Sequence, residues 1–374
     1  MTAIPRPRIL LLMPRLSGGG AERVMALLAR GLSPEKYELH LGLITQAEDD
    51  GVELPASVQV HRIGAARVRG GAFRLLRLVR RLKPDLILSG IFHLNFLVLL
   101  LRPLFPYGTR VLVRQNGTAS AALAFGGLPA STRLLYRSLY RRADRVICQT
   151  RAMAVDLARN FGISEDRFTV LPNPVDVGQM RNSGCRFSGA PAGSGPHLFA
   201  MGRLVREKGF DLLLDALVKV RAEFPGVSLR IAGCGREEAA LKARCRHLGL
   251  EHAVCFAGFV EHPWPCPPET TLFVLSSRHE GLPNALLEAA AAGLPIVALP
   301  AAGGLADLLR GQQGVWLGEE VSASSLTTCL LAALRALQRG ERFAHTWIEP
   351  FRLDRAFPAY EALIDRALAA GGRA

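Results

Sequence analysis

Twice in this chain of 374 residues a short apolar run passes through a glycine turn into an amphipathic helical pattern. The first instance is Ile9-Leu10-Leu11-Leu12-Met13, then Ser17-Gly18-Gly19-Gly20, then a helical pattern over 21–30. The second is the run from His197 to Met201, then Gly202-Arg203, then a helix over 209–223. An apolar run with no polar alternation reads as a strand covered on both faces. Followed at once by a glycine and a helix, it reads as the opening of a βαβ unit with a parallel sheet. The chain is therefore expected to be α/β and built from two Rossmann-like halves.

Between these starting points the rhythm continues. Strands are expected at 38–44, 86–88, 110–113 and 145–148, with helices at 74–82, 94–101 and 134–142. In the second half strands are expected at 227–232, 254–257, 272–275 and 296–299. A Ser, Gly and Pro-rich stretch at 182–196 reads as a linker. This predicts a first domain over 1–181, a second over 197–355, and a last helical segment, 356–374, crossing back onto the first. No apolar run reaches the ~18–20 residues that a membrane span needs. The run at 9–13 is also too short for a secretory signal. Seven scattered cysteines with no C-x-x-C pair argue against a zinc site or a disulfide framework, and for a reducing compartment.

Charge is unevenly placed. Residues 1–180 hold 25 Lys and Arg against 13 Asp and Glu, which accounts for 12 of the net +14. A first domain facing something anionic is the natural reading. With no zinc-finger, helix-turn-helix or RNA-binding signature, a membrane surface is expected rather than nucleic acid. Residues 62–83 carry eight basic side chains and no acidic one. Arg74, Arg77 and Arg81 share one helical face there, as candidates for contact with membrane or acceptor; the alternative is an ordinary surface helix with its arginines in water.

In the second half, Gly202-Arg203-Leu204-Val205-Arg206-Glu207-Lys208-Gly209 places cations beside a helix N-terminus at the end of a strand, an arrangement suited to phosphate. Gly233-Cys234-Gly235 is a second strand-end turn. The run Glu280-Gly281-Leu282-Pro283-Asn284-Ala285-Leu286-Leu287-Glu288 sets two carboxylates about two helical turns apart in an otherwise apolar helix. A carboxylate suits the hydroxyls of a sugar or ribose, and a buried one requires a partner. Pro300 to Gly304 forms a further loop after the next strand.

In this order and spacing, G-R-L-x3-K-G, G-x-G and E-G-L-P-N-A-L-L-E-A resemble the retaining family 4 glycosyltransferases of GT-B fold. The resemblance covers nearly the whole chain. It includes Ser17-Gly18-Gly19-Gly20-Ala21-Glu22-Arg23 as a glycine-rich first loop and Val170 to Asp176 as a domain-crossing segment. The E-x7-E run matches the form seen in bacterial polysaccharide and lipid-linked oligosaccharide transferases. The resemblance implies two Rossmann-like domains with parallel sheets facing across a cleft. Arg203 and Lys208 would hold the donor diphosphate, Glu280 the donor sugar and Glu288 the ribose. The backbone at Gly202 and from Gly281 through Leu282 and Pro283 to Asn284 would seat sugar and phosphate. The base would lie near Gly258, Phe259 and Val260, and Gly19 and Gly20 would approach the diphosphate.

Two departures stand out. Many relatives carry a His directly after the fourth strand, where Gly90 stands here; His93 is then the nearest candidate, with Arg114-Gln115-Asn116 a second. Residues 262–268, His-Pro-Trp-Pro-Cys-Pro-Pro, replace a short helix common in the family. The implied activity is retaining transfer of a hexosyl or N-acetylhexosaminyl group, from a nucleotide sugar (UDP favoured) to a lipid-linked or cell-envelope glycan. The resemblance also implies no required metal or other cofactor, and no D-x-D motif is present to hold one. The expected location is the cytoplasmic face of the membrane, held peripherally. A sugar-nucleotide epimerase or a phosphorylase on the same fold, and a non-enzymatic nucleic-acid binder, are the competing readings.

Overall fold

The computed structural model describes residues 5–16, 19–45, 53–125, 129, 131–182, 195–260, 264, 270–301, 303–337 and 341–370. The chain divides into two compact units, 1–174 with 353–374, and 175–352.

Unit 1 holds seven strands: β1 (Arg8–Met13), β2 (Glu38–Thr45), β3 (Val58–Ala65), β4 (Leu86–Ser89), β5 (Arg110–Arg114), β6 (Arg145–Cys148) and β7 (Phe168–Val170). They form one sheet in the order β3-β2-β1-β4-β5-β6-β7, with every pairing parallel. Its helices are α1 (Gly20–Gly31), α2 (Ala72–Leu82), α3 (Phe92–Leu101), α4 (Ala119–Phe125), α5 (Thr132–Leu139) and α6 (Arg151–Phe161). The unalternating β1 run is explained by its surroundings. Ile9, Leu11 and Met13 enter one apolar cluster, while Leu10 and Leu12 enter another on the opposite face. Each such fully buried aliphatic side chain contributes roughly 2 kcal/mol.

Unit 2 repeats the plan after α7 (Val177–Asn182). Its strands are β8 (His197–Met201), β9 (Ser228–Ala232), β10 (Val254–Gly258), β11 (Thr270–Leu275), β12 (Ile296–Ala298) and β13 (Val315–Leu317). The sheet order is β10-β9-β8-β11-β12-β13, again all parallel. Helices α8 (Phe210–Glu223), α9 (Glu238–His247), α10 (Asn284–Ala291), α11 (Leu305–Leu309) and α12 (Ala323–Ala336) complete it. Leu198 and Ala200 of β8 face one core and Phe199 the other.

The units divide at Pro174/Val175, ahead of the expected boundary at 181. Val175 bridges Arg352, its N–H donates to the Phe351 carbonyl at 2.8 Å, and Met180 of α7 enters a core of unit 2. Residues 183–194 of the expected linker lie outside the described residues. The last helix, α13 (Leu353–Ala369), belongs to unit 1. Tyr360, Leu363, Ile364 and Ala367 join the β1 core there. The Tyr37 hydroxyl donates to Asp365 at 2.6 Å, and Lys36 pairs with Glu361 at 2.6 Å. Burial first, and then that carboxylate, push the Tyr37 phenol well above its ordinary pKa.

In each sheet the order reverses beside the first strand, between β1 and β4 and between β8 and β11. Loops leaving the carboxyl ends of those strands diverge, and open α/β sheets bind ligands in that crevice.

Candidate functional site

At the unit 2 crevice, the loop after β8 carries Gly202, Arg203 and Lys208, and the loop after β11 carries Ser276 to Pro283. Parallel pairing of β8 with β11 joins two loops some seventy residues apart in sequence. The Lys208 ammonium lies 2.5 Å from Glu280 Oε1, with side chains 21% and 10% exposed. The Ser277 hydroxyl donates to the same oxygen at 2.6 Å, and the Ser276 hydroxyl donates to the Lys208 carbonyl at 2.9 Å. Arg203 is exposed, and its guanidinium makes no ion pair among the described residues.

Two glycines let these loops approach. Gly209 has φ +63°, and a Cβ there would meet the Ser276 carbonyl oxygen at 2.1 Å. Gly233 has φ +141°, and its Cβ would fall 1.9 Å from the Gly202 carbonyl oxygen. Only glycine meets both conditions, a left-handed backbone and contact with a neighbouring chain segment. The glycine after β9 is thus a packing requirement of the β8 loop. Below it, Arg278 grips Asp211 of α8 through both oxygens, at 2.7 and 2.6 Å. Burial works to raise the Asp211 carboxyl, but the Arg278 guanidinium outweighs it and holds the group below its ordinary value.

Gly281, Leu282 and Pro283 are buried and lead into α10, whose first residue, Asn284, is half-buried. Glu288, one turn further, is 4% exposed, and its Oε2 accepts the Trp264 indole N–H at 2.7 Å. Trp264 is itself 2% exposed and packs edge-on against Phe199. The partner that a buried Glu288 requires is thus partly supplied by the protein, from the proline-rich run that departs from the family pattern. The rest of that run, 261–263 and 265–269, lies outside the described residues, as does Ala302 of the loop at 300–304. Phe259 is exposed and Val260 half-buried, just past β10. The turn there is tied to the β9 loop by the Gly233 N–H donating to the Gly258 carbonyl at 2.6 Å. Sequence reasoning passed over Ser277 and Trp264. Their signal was position alone, a hydroxyl at a strand end and an indole beside the E-x7-E helix.

At the unit 1 crevice, Gly19 caps α1 and Gly20 begins it, while Ser17 and Gly18 lie outside the described residues. Gly90 follows β4, and a Cβ there would sit 2.6 Å from the Met25 side chain. The Met25 side chain of α1 thus occupies the space that a larger residue at this place would take. His93 lies in the first turn of α3, exposed, with Phe92 edge-on at 5.3 Å.

The second candidate group is more elaborate. Arg114 is fully buried at the end of β5, and its guanidinium donates to the amide oxygens of Asn116 and Asn173. Asn116 also donates to the Gly90 carbonyl. Asn95 donates to the Arg114 carbonyl at 3.0 Å, and Tyr140 to Gln115 at 2.7 Å. Through the bond to Asn173 this buried cation holds the crossing segment against the sheet, a structural task for Arg114 that the sequence did not reveal. Arg74, Arg77 and Arg81 stand exposed on α2, with no acidic partner among the described residues. Arg74 donates to the Ile63 and Gly64 carbonyls at 3.1 and 2.8 Å, and Arg77 lies over the Phe73 ring at 5.2 Å.

Two doubly wound units, with cation-bearing and carboxylate-bearing loops at the switch point of the second, define a protein of the GT-B class. The description "Glycosyltransferase Family 4" fits residues 18–179, and "Glycosyl transferases group 1" fits residues 195–336. The chain belongs to the family 4 glycosyltransferases. It is 28% identical over 299 residues to the lipopolysaccharide core biosynthesis glycosyltransferase LpsE of Rhizobium meliloti, covering 75% of this chain and 79% of that protein. It is 27% identical over 294 residues to N-acetylgalactosamine-N,N'-diacetylbacillosaminyl-diphospho-undecaprenol 4-alpha-N-acetylgalactosaminyltransferase of Campylobacter jejuni, covering 75% and 78%. The fold of Anabaena HepE, solved with UDP and glucose, superposes with a TM-score of 0.78 at 17% identity, over 96% and 99% of the two chains.

Proposed function

We propose that this glycosyltransferase moves a hexosyl or N-acetylhexosaminyl group from a UDP-sugar to a lipid-linked or cell-envelope glycan, with retention of configuration. The observation that carries the reading is the Lys208–Glu280 contact at the switch point of unit 2, on the same loop as the exposed Arg203. In the proposed complex Arg203 and Lys208 neutralise the charge growing on the departing diphosphate. Preorganised electrostatics of this kind usually supplies more of the rate acceleration than any other single effect. Glu280, with Oε1 held by Lys208 and Ser277, offers Oε2 to the sugar hydroxyls. Glu288, oriented by Trp264, accepts from the ribose hydroxyls, and Gly202, Gly281 to Asn284, Phe259 and Val260 line the rest of the donor site. Departure and attack on the same face, through an oxocarbenium-like transition state, give the α-linked product. The two cations do the work a metal does in other transferases, so no metal is assigned a role.

The acceptor class rests on charge and on relatives. LpsE is named for lipopolysaccharide core synthesis and the Campylobacter protein for a diphospho-undecaprenol substrate. No helix among the described residues is long and apolar enough to cross a membrane. The proposed association is peripheral, through Arg77, Arg81 and the aliphatic part of Arg74 on α2, at the cytoplasmic face. Thermal-shift titration with UDP, GDP, ADP and their sugars tests the donor, since a ligand at 100 times its Kd adds about 2.7 kcal/mol of stability. Stabilisation by none of them overturns the donor assignment. An inverted anomeric signal in the product NMR spectrum overturns retention.

A further inference from the structure

Away from both crevices, at the amino ends of β5, β6 and β7, unit 1 has a depression of about 580 Å³. It is lined by Arg102, Pro103, Arg141, Arg142, Asp144 and Arg167. Local structure explains part of this basic cluster, because cations belong at helix C-termini, where carbonyls lack partners. Arg142 donates to the Leu99 carbonyl at 3.4 Å, Arg141 to Gly162 at 3.2 Å, and Arg167 to Ala143 at 2.7 Å. Each of these bonds uses one of five guanidinium N–H groups.

Asp144 is the one acid in the lining, and it is already committed. Arg102 lies 2.6 Å from Oδ2 and Arg110 3.0 Å from Oδ1, and the Val111 N–H donates to Oδ2 at 2.7 Å. Arg141, Arg142 and Arg167 make no ion pair among the described residues, although the neighbouring Asp166 carboxylate feels the charge of Arg167. Four guanidiniums thus share one concavity with a carboxylate that has no acceptor capacity left for three of them. Their mutual repulsion is relieved by an anion with several oxygens at once. A carboxylate ligand fills a single guanidinium fork, whereas a phosphoryl group presents three or four oxygens to several forks.

We propose that this depression is a binding site for a phosphoryl group, separate from the donor site. A lipid headgroup and free phosphate share that chemistry. Leu100 and Leu104, close in sequence to the lining residues Arg102 and Pro103, are exposed, and Arg80 of α2 donates to the Leu104 carbonyl at 3.2 Å.

The test uses the full chain and two probes at constant ionic strength in chloride. One is inorganic phosphate, read by thermal shift; the other is phosphatidylglycerol vesicles against phosphatidylcholine vesicles, read by co-sedimentation. Wild type responds to at least one probe. Arg142→Gln/Arg167→Gln weakens that response at least tenfold, while Arg137→Gln/Arg151→Gln, which removes equal charge elsewhere on unit 1, stays within twofold. Response to vesicles alone assigns a headgroup, and response to phosphate alone assigns a free anion. Should the Gln pair fail to fold, Arg142→Lys/Arg167→Lys retains charge and carbonyl bonds but lacks the planar fork, and the same loss is expected. No response by wild type, or wild-type affinity in the folded double variant, overturns the proposal.

Discussion

Replacing Lys208 with Ala removes an ammonium 2.5 Å from Glu280, in a pair whose side chains are 21% and 10% exposed. At that separation and an effective dielectric of ~20, the attraction is about 7 kcal/mol, most of it cancelled by the cost of dehydrating both groups. Breaking a buried pair typically costs about 3–5 kcal/mol, because the remaining charge is stranded. Glu280 keeps the Ser277 hydroxyl at 2.6 Å and some contact with water, so about 2 kcal/mol of stability is expected to be lost. Glu280→Gln removes the stranded charge, so the double variant should be more stable than the sum of the singles by about 1–3 kcal/mol. Catalysis should behave differently. Each single variant should lose at least tenfold in kcat, and the double should recover none of it, because both groups are needed at the reacting donor. Urea unfolding of the four proteins gives the coupling, and initial rates give the second comparison. Additive stabilities would refute the coupled pair, and wild-type turnover in Lys208→Ala would refute the clamp.

Glu280→Gln should lower kcat more than UDP affinity, whereas Glu288→Gln should weaken UDP itself; calorimetry on both variants checks this, and equal losses would mean the division of roles is wrong. Trp264→Phe keeps the packing against Phe199 and loses the 2.7 Å bond to Glu288. It should weaken UDP several-fold with little change in kcat, and an unchanged Kd would show that the indole does not orient Glu288. Replacing Arg74, Arg77 and Arg81 with Gln should reduce salt-sensitive sedimentation with anionic vesicles and leave UDP affinity intact. A fall in melting temperature with vesicle binding preserved would make these side chains structural. The depressed Asp211 carboxyl gives a contribution that is fully present above its unfolded value and lost as pH falls through its folded one. Arg278→Gln should therefore cost stability at pH 7 and flatten the acid limb below about pH 4, and parallel pH–stability curves would show that the pair contributes nothing there.

Much of the fold was legible because the signals for it are local. The runs at 9–13 and 197–201 announce strands covered on both faces, and the glycines after them announce the turns into α1 and α8. β3 escaped notice because Val58-Gln59-Val60-His61 lies at the sheet edge and carries polar side chains there. The expected helix at 134–142 instead starts at Thr132 and tightens into a 3₁₀ turn at Tyr140–Arg142. The expected boundary at 181 and the division at Pro174/Val175 differ because composition marks where a chain lacks structure, while Val175 and Met180 are assigned to unit 2 by what they touch.

The sequence by itself determined the class of fold and the types of residue in the site, since periodicity, glycine placement and the E-x7-E spacing are properties of neighbouring residues. Tertiary structure decided the partners. Lys208 meets Glu280 only because β8 pairs with β11, and Glu288 meets Trp264 only because α10 covers the face of the sheet where Phe199 lies. Gly90 lies against the side chain of Met25 from a helix far earlier in the chain, and the guanidinium of Arg114 reaches the Asn173 amide of the crossing segment, 59 residues away. The physical reason is common to all four. Hydrogen bonds, ion pairs and steric contacts act over a few ångströms of space, and packing, rather than distance along the chain, sets which groups come that close.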